Sequence, residues 1–246
     1  DGVITYTPNA GYTGPDTFYI TFTLADGTVV TQEYSVGTPA ADTVATNPET
    51  LVFNNVLYKT ITSTQTSRVW LDRNLGASQA CTAKDDTACY GDYYQWGREA
   101  DGHEKSDSAT TSTLATSTTA DDASFIIGSS DWTTVDSDGT LRTASWSKTD
   151  GTSVCPVGYR VPTKEEFDLE EAAFNNYNEA LATLKLPSSG KRNNYNGSLS
   201  IQESYGNFWS SSVGSTSSYL LSFNSSSAST YDSNRAYGRP VRCIKD

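Results

Sequence analysis

The chain has 246 residues, enough for one large domain or two smaller ones with a buried core. Its 29 acidic and 17 basic side chains leave a net charge of −12, which repels phosphate backbones and anionic headgroups; nucleic acid and membrane surfaces are therefore poor partners, whereas divalent cations suit it. Hydrophobic residues make up only 36% and aromatics 11%, with Gly, Ser and Thr between short apolar runs, which favours strand and loop over long helix.

Residues 3–36 alternate with period two, and in "DTFYITFTLADGTVVTQEYSV" Phe18, Ile20 and Phe22 share one side while Asp26-Gly27 marks a turn. This predicts a hairpin with a flanking strand. The next stretch, "GTPAADTVATNPET", carries Pro39 and Pro48 and no periodicity, as a linker does. From Leu51 a second body begins with the short strands "LVFNNVLYKTI" and "SRVWLDRNL". Then "YGDYYQWGREADGHE", residues 90–104, gathers three tyrosines, a tryptophan, four acids, Arg98 and the chain's one histidine. Residues 105–124 are polar enough to predict a mobile surface loop.

Thr163 and Glu166 in "PTKEEF" have the spacing of a capping box, predicting a helix over 163–174. A second helix follows from Tyr177, Ala180, Leu181 and Leu184, with Pro187 as its stop. "GNFWSSS", "SYLLSF" and "GRPVRCIKD" read as strands, with Trp209 in the core.

Cys81, Cys89, Cys155 and Cys243 show no C-x-x-C spacing, so disulfides are expected rather than a zinc site. Local pairing of Cys81 with Cys89 and distant pairing of Cys155 with Cys243 is preferred among the three connectivities, in an oxidising extracellular setting. No run approaches the roughly 18 apolar residues of a spanning helix. Asp1 starts no signal-peptide pattern, and the absence of Met suggests an internal fragment of a longer protein.

The segment "ITYTPNAGYTGPDTFYITFTLADG" resembles the C-terminal half of the Ig-like and cadherin-like repeats of bacterial surface adhesins. Further on, "VWLDRNLGA", "YGDYYQWGREADGHE", "CPVGYRVPTKEEF", "LKLPSSGKR", "GNFWSSS" and "RPVRCIKD" resemble, in that order, the Fibrobacter succinogenes major paralogous domain. That domain is similar to the C-type lectin-like peptide-binding domain of repeats-in-toxin (RTX) adhesins. The resemblance implies an α+β, C-type lectin-like domain over 51–246, with a linker at 39–50 and a partial Ig-like repeat at 1–38. It also implies a calcium-dependent adhesion module on the bacterial cell surface that grips a polypeptide, by its free C-terminus, on a host or neighbouring cell. Glu-Pro-Asn, Gln-Pro-Asp and Trp-Asn-Asp, the sugar-binding tripeptides of C-type lectins, are absent, and "FWSSS" stands where Trp-Asn-Asp would. A glycan-binding domain that uses aromatic stacking is the alternative.

Catalysis is not expected: His103 sits in no nucleophile context, and the helical acids Glu165, Glu166, Glu170 and Glu171 suit capping and solvation. Calcium is the expected cofactor, with Asp101, Glu104, Asp107, Asp131, Asp136 and Asp138 on turn-rich backbone as ligands; plain Asp-Gly turns are the alternative. Alternation puts Tyr94 and Trp96 on one face, and Tyr93 and Gln95 on the other, where they could line a groove. Arg98 suits a carboxylate such as a peptide C-terminus, or else pairs with Asp92, Glu99 or Asp101. His103, Ser210, Ser211, Tyr231, Asp232, Asn234 and Arg235 complete the expected ligand-binding set.

Overall fold

The structure is a computed structural model that describes residues 16–23, 27, 29–36 and 50–246. Strands β1 (Asp16–Thr23) and β2 (Val29–Val36) form an antiparallel hairpin whose pairing closes at Thr23 opposite Val29. Gly27, in the turn, has φ +83°, a conformation that only glycine adopts without strain. The flanking strand, the linker and the side chains of Phe18, Ile20 and Phe22 lie outside the described residues.

The second run of strands opens with β3 (Thr50–Phe53), β4 (Val56–Thr62) and β5 (Val69–Leu71). Asn54 and Asn55 join the first two with φ of 50° and 61°, the left-handed pair a two-residue hairpin requires and asparagine tolerates. A 3-10 turn (Thr87–Cys89), β6 (Tyr94–Gln95), β7 (Thr110–Thr111), β8 (Phe125–Ile126) and α1 (Thr140–Trp146) follow. After them come β9 (Tyr159–Arg160), α2 (Lys164–Glu171), α3 (Tyr177–Leu184), β10 (Lys191–Arg192) and β11 (Leu199–Ser200). The chain closes with β12 (Gly206–Val213), β13 (Ser218–Phe223), β14 (Ala228–Ser233), β15 (Gly238–Arg239) and β16 (Ile244–Lys245). The strands assemble into small sheets ordered β3-β4-β5-β16-β9, β11-β10-β15-β6 and β12-β13-β14, all antiparallel, and a parallel β7-β8 pair. The architecture is α+β.

Helix α2 starts as its sequence predicts: the Thr163 side chain accepts from the Glu166 amide, and the Glu166 carboxylate from the Thr163 amide. Glu170, expected in solvent, is instead buried, accepting from Ser63 Oγ (2.6 Å), Trp70 Nε1 (3.1 Å) and Thr66 Oγ1. Asn176 caps α3, which ends at Lys185 in the left-handed conformation (φ 55°).

In the sheet β12-β13-β14 the first two strands are mostly buried on both faces, with serines among their apolar side chains, whereas the edge strand β14 is half-exposed. Phe208, Leu221 and Phe223 pack with Phe167 of α2 and Leu184 of α3; Trp209 and Leu220 pack on the other side with Tyr94, Trp96, Trp146 and Val241. Both disulfides pair as preferred, Cys81 with Cys89 and Cys155 with Cys243, the second inside this core. Residues 105–124 are not the free excursion expected: β7 pairs with β8, and Ala115 packs with Ile126, Trp132 and Ala236.

Candidate functional site

The stretch 93–104 is held in the interior. Tyr93 is 1% exposed and its hydroxyl donates to Ser189 O (2.8 Å); Gln95 is 0% exposed and its side-chain amide bridges Ile126 and Ala236. The expected surface placement of these two is therefore corrected. Alternation does separate 93 and 95 from 94 and 96, but loops cover the outer face as fully as the core covers the inner one.

Arg98 is also buried, and every nitrogen is engaged. Nε donates to Asp101 (2.7 Å), Nη1 to Gln95 Oε1 and Ser124 O (both 3.0 Å), and Nη2 to Asp122 O (2.7 Å). Of its two predicted roles it fills the internal one, tying the 101 loop to the 122–124 loop, with four of its five N–H donors engaged and the side chain 1% exposed. His103 is fully buried between Asp101, which accepts from Nδ1 (2.7 Å), and the Gln95 amide, which donates to Nε2 (3.0 Å). Burial holds its pKa below the ordinary value, and the two bonds fix the neutral Nδ1–H tautomer. Burial alone would raise the Asp101 carboxyl, but donors from His103 and the Arg98 charge bring it down to about 2.

Asp101, His103 and Glu104 each place one ligand atom within 4.8 Å of the others. They do not fit calcium, which takes six to eight oxygens. The Asp101 oxygens already serve Arg98 and His103, Glu104 accepts from the Gly102 amide (2.8 Å), and Lys105 Nζ lies 3.4 Å from Glu104 and 2.7 Å from Asp92. Asp107 is exposed and stands outside this group. A cavity of about 130 Å³ beside it is lined by Phe53, Tyr58, Tyr94, Asp92, Glu104 and Lys105, among others.

The second acidic loop is closed by an arginine rather than by an ion. Arg142 donates to both oxygens of Asp131 (2.7 and 2.8 Å) and through Nε to Asp136 (2.9 Å), with its guanidinium 5.2 Å from the Trp96 ring and 5.4 Å from the Trp132 ring. Asp136 also accepts from the Leu141 and Arg142 amides, so the "DSDG" read as a metal loop anchors the start of α1, a helix the sequence reading missed. Asp138 is exposed and accepts from the Thr140 amide (3.1 Å).

Of the C-terminal set, Ser210 and Ser211 are buried and bonded to the carbonyls of Tyr219 and Pro162. Arg235 is buried with bonds to Ser218 Oγ (3.1 Å), Ser137 O (2.7 Å) and Ser217 O (3.1 Å), and contacts Asp131 at 3.4 Å. These three are corrected from recognition to support, whereas Tyr231, Asp232 and Asn234 are exposed.

Residues that the sequence reading did not single out do much of the positioning. Arg192 donates to the carbonyls of Lys105 (2.8 Å) and Ser108 (2.6 Å), and Arg242 to those of Leu71, Leu184 and Lys185 and to Asn74 Oδ1. Nothing local marks an arginine for burial; the one available signal is its place in short strands flanked by apolar residues, as in "GRPVRCI". Tyr195, Tyr205 and Tyr231 are exposed (64%, 38% and 43%), with the exposed Leu199 and Ile201 between the first two in sequence.

Residues 143–244 match the family described as a domain of unknown function (DUF8237). The match runs from within α1 to β16 and contains α2, α3 and the sheet β12-β13-β14. Comparison with curated proteins and with solved structures returns no match.

Proposed function

We propose that residues 51–246 form a non-catalytic, C-type lectin-like binding module that recognises a polypeptide outside the cell, as part of a bacterial surface adhesin. One observation carries the reading: irregular loops are fixed from within by buried arginines while tyrosines on the loops and on edge strand β14 stay exposed. Pre-ordered loops presenting rigid aromatic rings bind partners at low entropic cost. Saturation of His103 and pairing of the cysteines favour binding over chemistry. The paired cysteines are compatible with an extracellular setting, and among the described residues no helix is long and apolar enough to cross a membrane.

A hollow of about 410 Å³ lined by Lys84, Tyr177, Glu203, Tyr205, Asn224 and neighbouring serines favours the second reading, a glycan held by stacking and amide or hydroxyl hydrogen bonds. The two separate experimentally. Calorimetric titration with a random-sequence peptide library should give saturable binding that Tyr195→Ala with Tyr231→Ala abolishes. A positive glycan array lost in Tyr205→Ala, with peptides inert, would reverse the order.

A further inference from the structure

Two buried carboxylates, Asp92 and Glu104, and two buried tyrosines, Tyr58 and Tyr94, line the cavity of about 130 Å³. Its exposed lining residues, Asn54, Ala100 and Lys105, mark the mouth. The carboxylates converge on one point: Lys105 Nζ lies 2.7 Å from Asp92 Oδ2 and 3.4 Å from Glu104 Oε1. Gly76 leaves room for the Asp92 carboxylate, since a Cβ there would fall 2.1 Å from Oδ2. One half-exposed ammonium thus answers two buried negative charges, and burial still raises the Asp92 carboxyl above its ordinary value.

Tyr94 supplies an independent sign of an occupant. The side chain is 3% exposed, yet its hydroxyl has no hydrogen-bond partner among the described residues, whereas the Tyr58 hydroxyl accepts from the Gly76 amide (3.0 Å). Burial, then the charges of Asp92 and Glu104, raise its pKa well above the ordinary value. The phenol therefore stays protonated beside the two carboxylates of the same cavity, a polar group with capacity to spare.

A primary ammonium ion matches this lining. Its three N–H donors can meet Asp92, Glu104 and the Tyr94 oxygen, and its single charge brings two carboxylates and Lys105 to neutrality. Phe53, Val56 and Leu75 offer apolar contact to a short aliphatic stem, and about 130 Å³ is the share of about four waters. A divalent metal ion is disfavoured by Lys105, which sits 2.7 Å from one of the oxygens it would need.

We propose that Asp92, Glu104 and Tyr94 form an ammonium-binding pocket, with Lys105 as the resident cation at its mouth. Resting on the polypeptide reading above, the ligand is a lysine side chain of the partner; a free N-terminus is the other source of the same group.

The test titrates the wild-type chain, Tyr94→Phe and Lys105→Gln with n-butylammonium, n-butanol, N-acetyl-lysine amide and alanyl-alanine amide, following the Gly76 amide resonance by NMR and affinity by calorimetry. Tyr94→Phe deletes a hydroxyl that bonds to nothing, so its melting temperature should match the wild type. The expected result is that butylammonium and the lysine probe shift the Gly76 signal while butanol does not. Tyr94→Phe should weaken butylammonium about tenfold, the worth of one hydrogen bond to a charged group. Lys105→Gln should strengthen it several-fold by removing the competing cation. Equal responses to butanol and butylammonium, wild-type affinity in Tyr94→Phe, or silence from every ammonium in both the wild type and Lys105→Gln overturn the pocket while leaving peptide binding itself standing. Binding of alanyl-alanine amide in place of the lysine probe upholds the pocket and moves its ligand to the partner's N-terminus. Binding of butylammonium with both peptide-derived probes inert upholds the pocket and overturns a polypeptide as the source of its ligand.

Discussion

Arg142 concentrates the energetics of the loop region in one side chain, since two carboxylates and two indole rings converge on its guanidinium. Removing one partner of a buried ion pair leaves the others uncompensated, at a cost of roughly 3–5 kcal/mol. Arg142→Ala should therefore lower unfolding free energy by about that amount in urea titration, and Arg142→Lys should recover little, because an ammonium cannot serve Asp131 and Asp136 in one plane. Asp131→Asn with intact stability would refute this account. His103 gives the chain a pH response. Its pKa is depressed by burial, so acid favours the unfolded state: its contribution is complete above about 6.5 and is lost as pH falls towards the lower folded value. Asp101, held at about 2, contributes above about pH 4 and loses its effect as pH falls through about 2. Stability measured against pH should fall in two stages, and His103→Gln should remove the upper one.

At the level of elements, legibility in the sequence depended on how local the deciding contacts are. The capping box of α2 lies within four residues, and its Thr163–Glu166 spacing sufficed to place the helix start. Thr163→Ala should cost about 1 kcal/mol in thermal or urea unfolding. A cost near zero would mean that the Arg68 and Arg160 pairings of Glu166 hold the helix start alone. Helix α3 and the strands β12 and β13 were readable from apolar spacing for the same reason. By contrast, "DSDG" reads alike as a turn, a helix cap or a metal loop, and the Arg142 side chain decides between them in three dimensions. The fixing of 105–124 was invisible because Arg98 and Arg192 grip its main chain from distant positions, Arg192 from 84 residues away at Ser108. Period-two alternation at 93–96 separates two faces but carries no information on whether the second is covered.

For the whole molecule, the disulfides differ in reach. Cys155–Cys243 spans 88 residues and Cys81–Cys89 spans 8, so loop-closure entropy assigns roughly 4–5 kcal/mol to the first and about 2–3 to the second. Cys155→Ala with Cys243→Ala should lower the melting temperature more than the Cys81 and Cys89 pair does, as calorimetry would show. The saturation of Asp101, Glu104, Asp131 and Asp136 by internal donors predicts that melting curves in chelator and in millimolar calcium superimpose. A rise in melting temperature with calcium would locate an ion these side chains do not account for. The grip of Arg98 and Arg192 has a further consequence for how such a surface can change over generations. What they hold at Asp122, Ser124 and Lys105 is the peptide carbonyl, a group every amino acid carries, and at Ser108 the carbonyl together with the hydroxyl. Side chains at the first three positions can be exchanged while those bonds persist, so mutation can rewrite much of the outer surface of the 105–124 segment without redrawing its path, and a lineage could vary that surface on an unchanged frame.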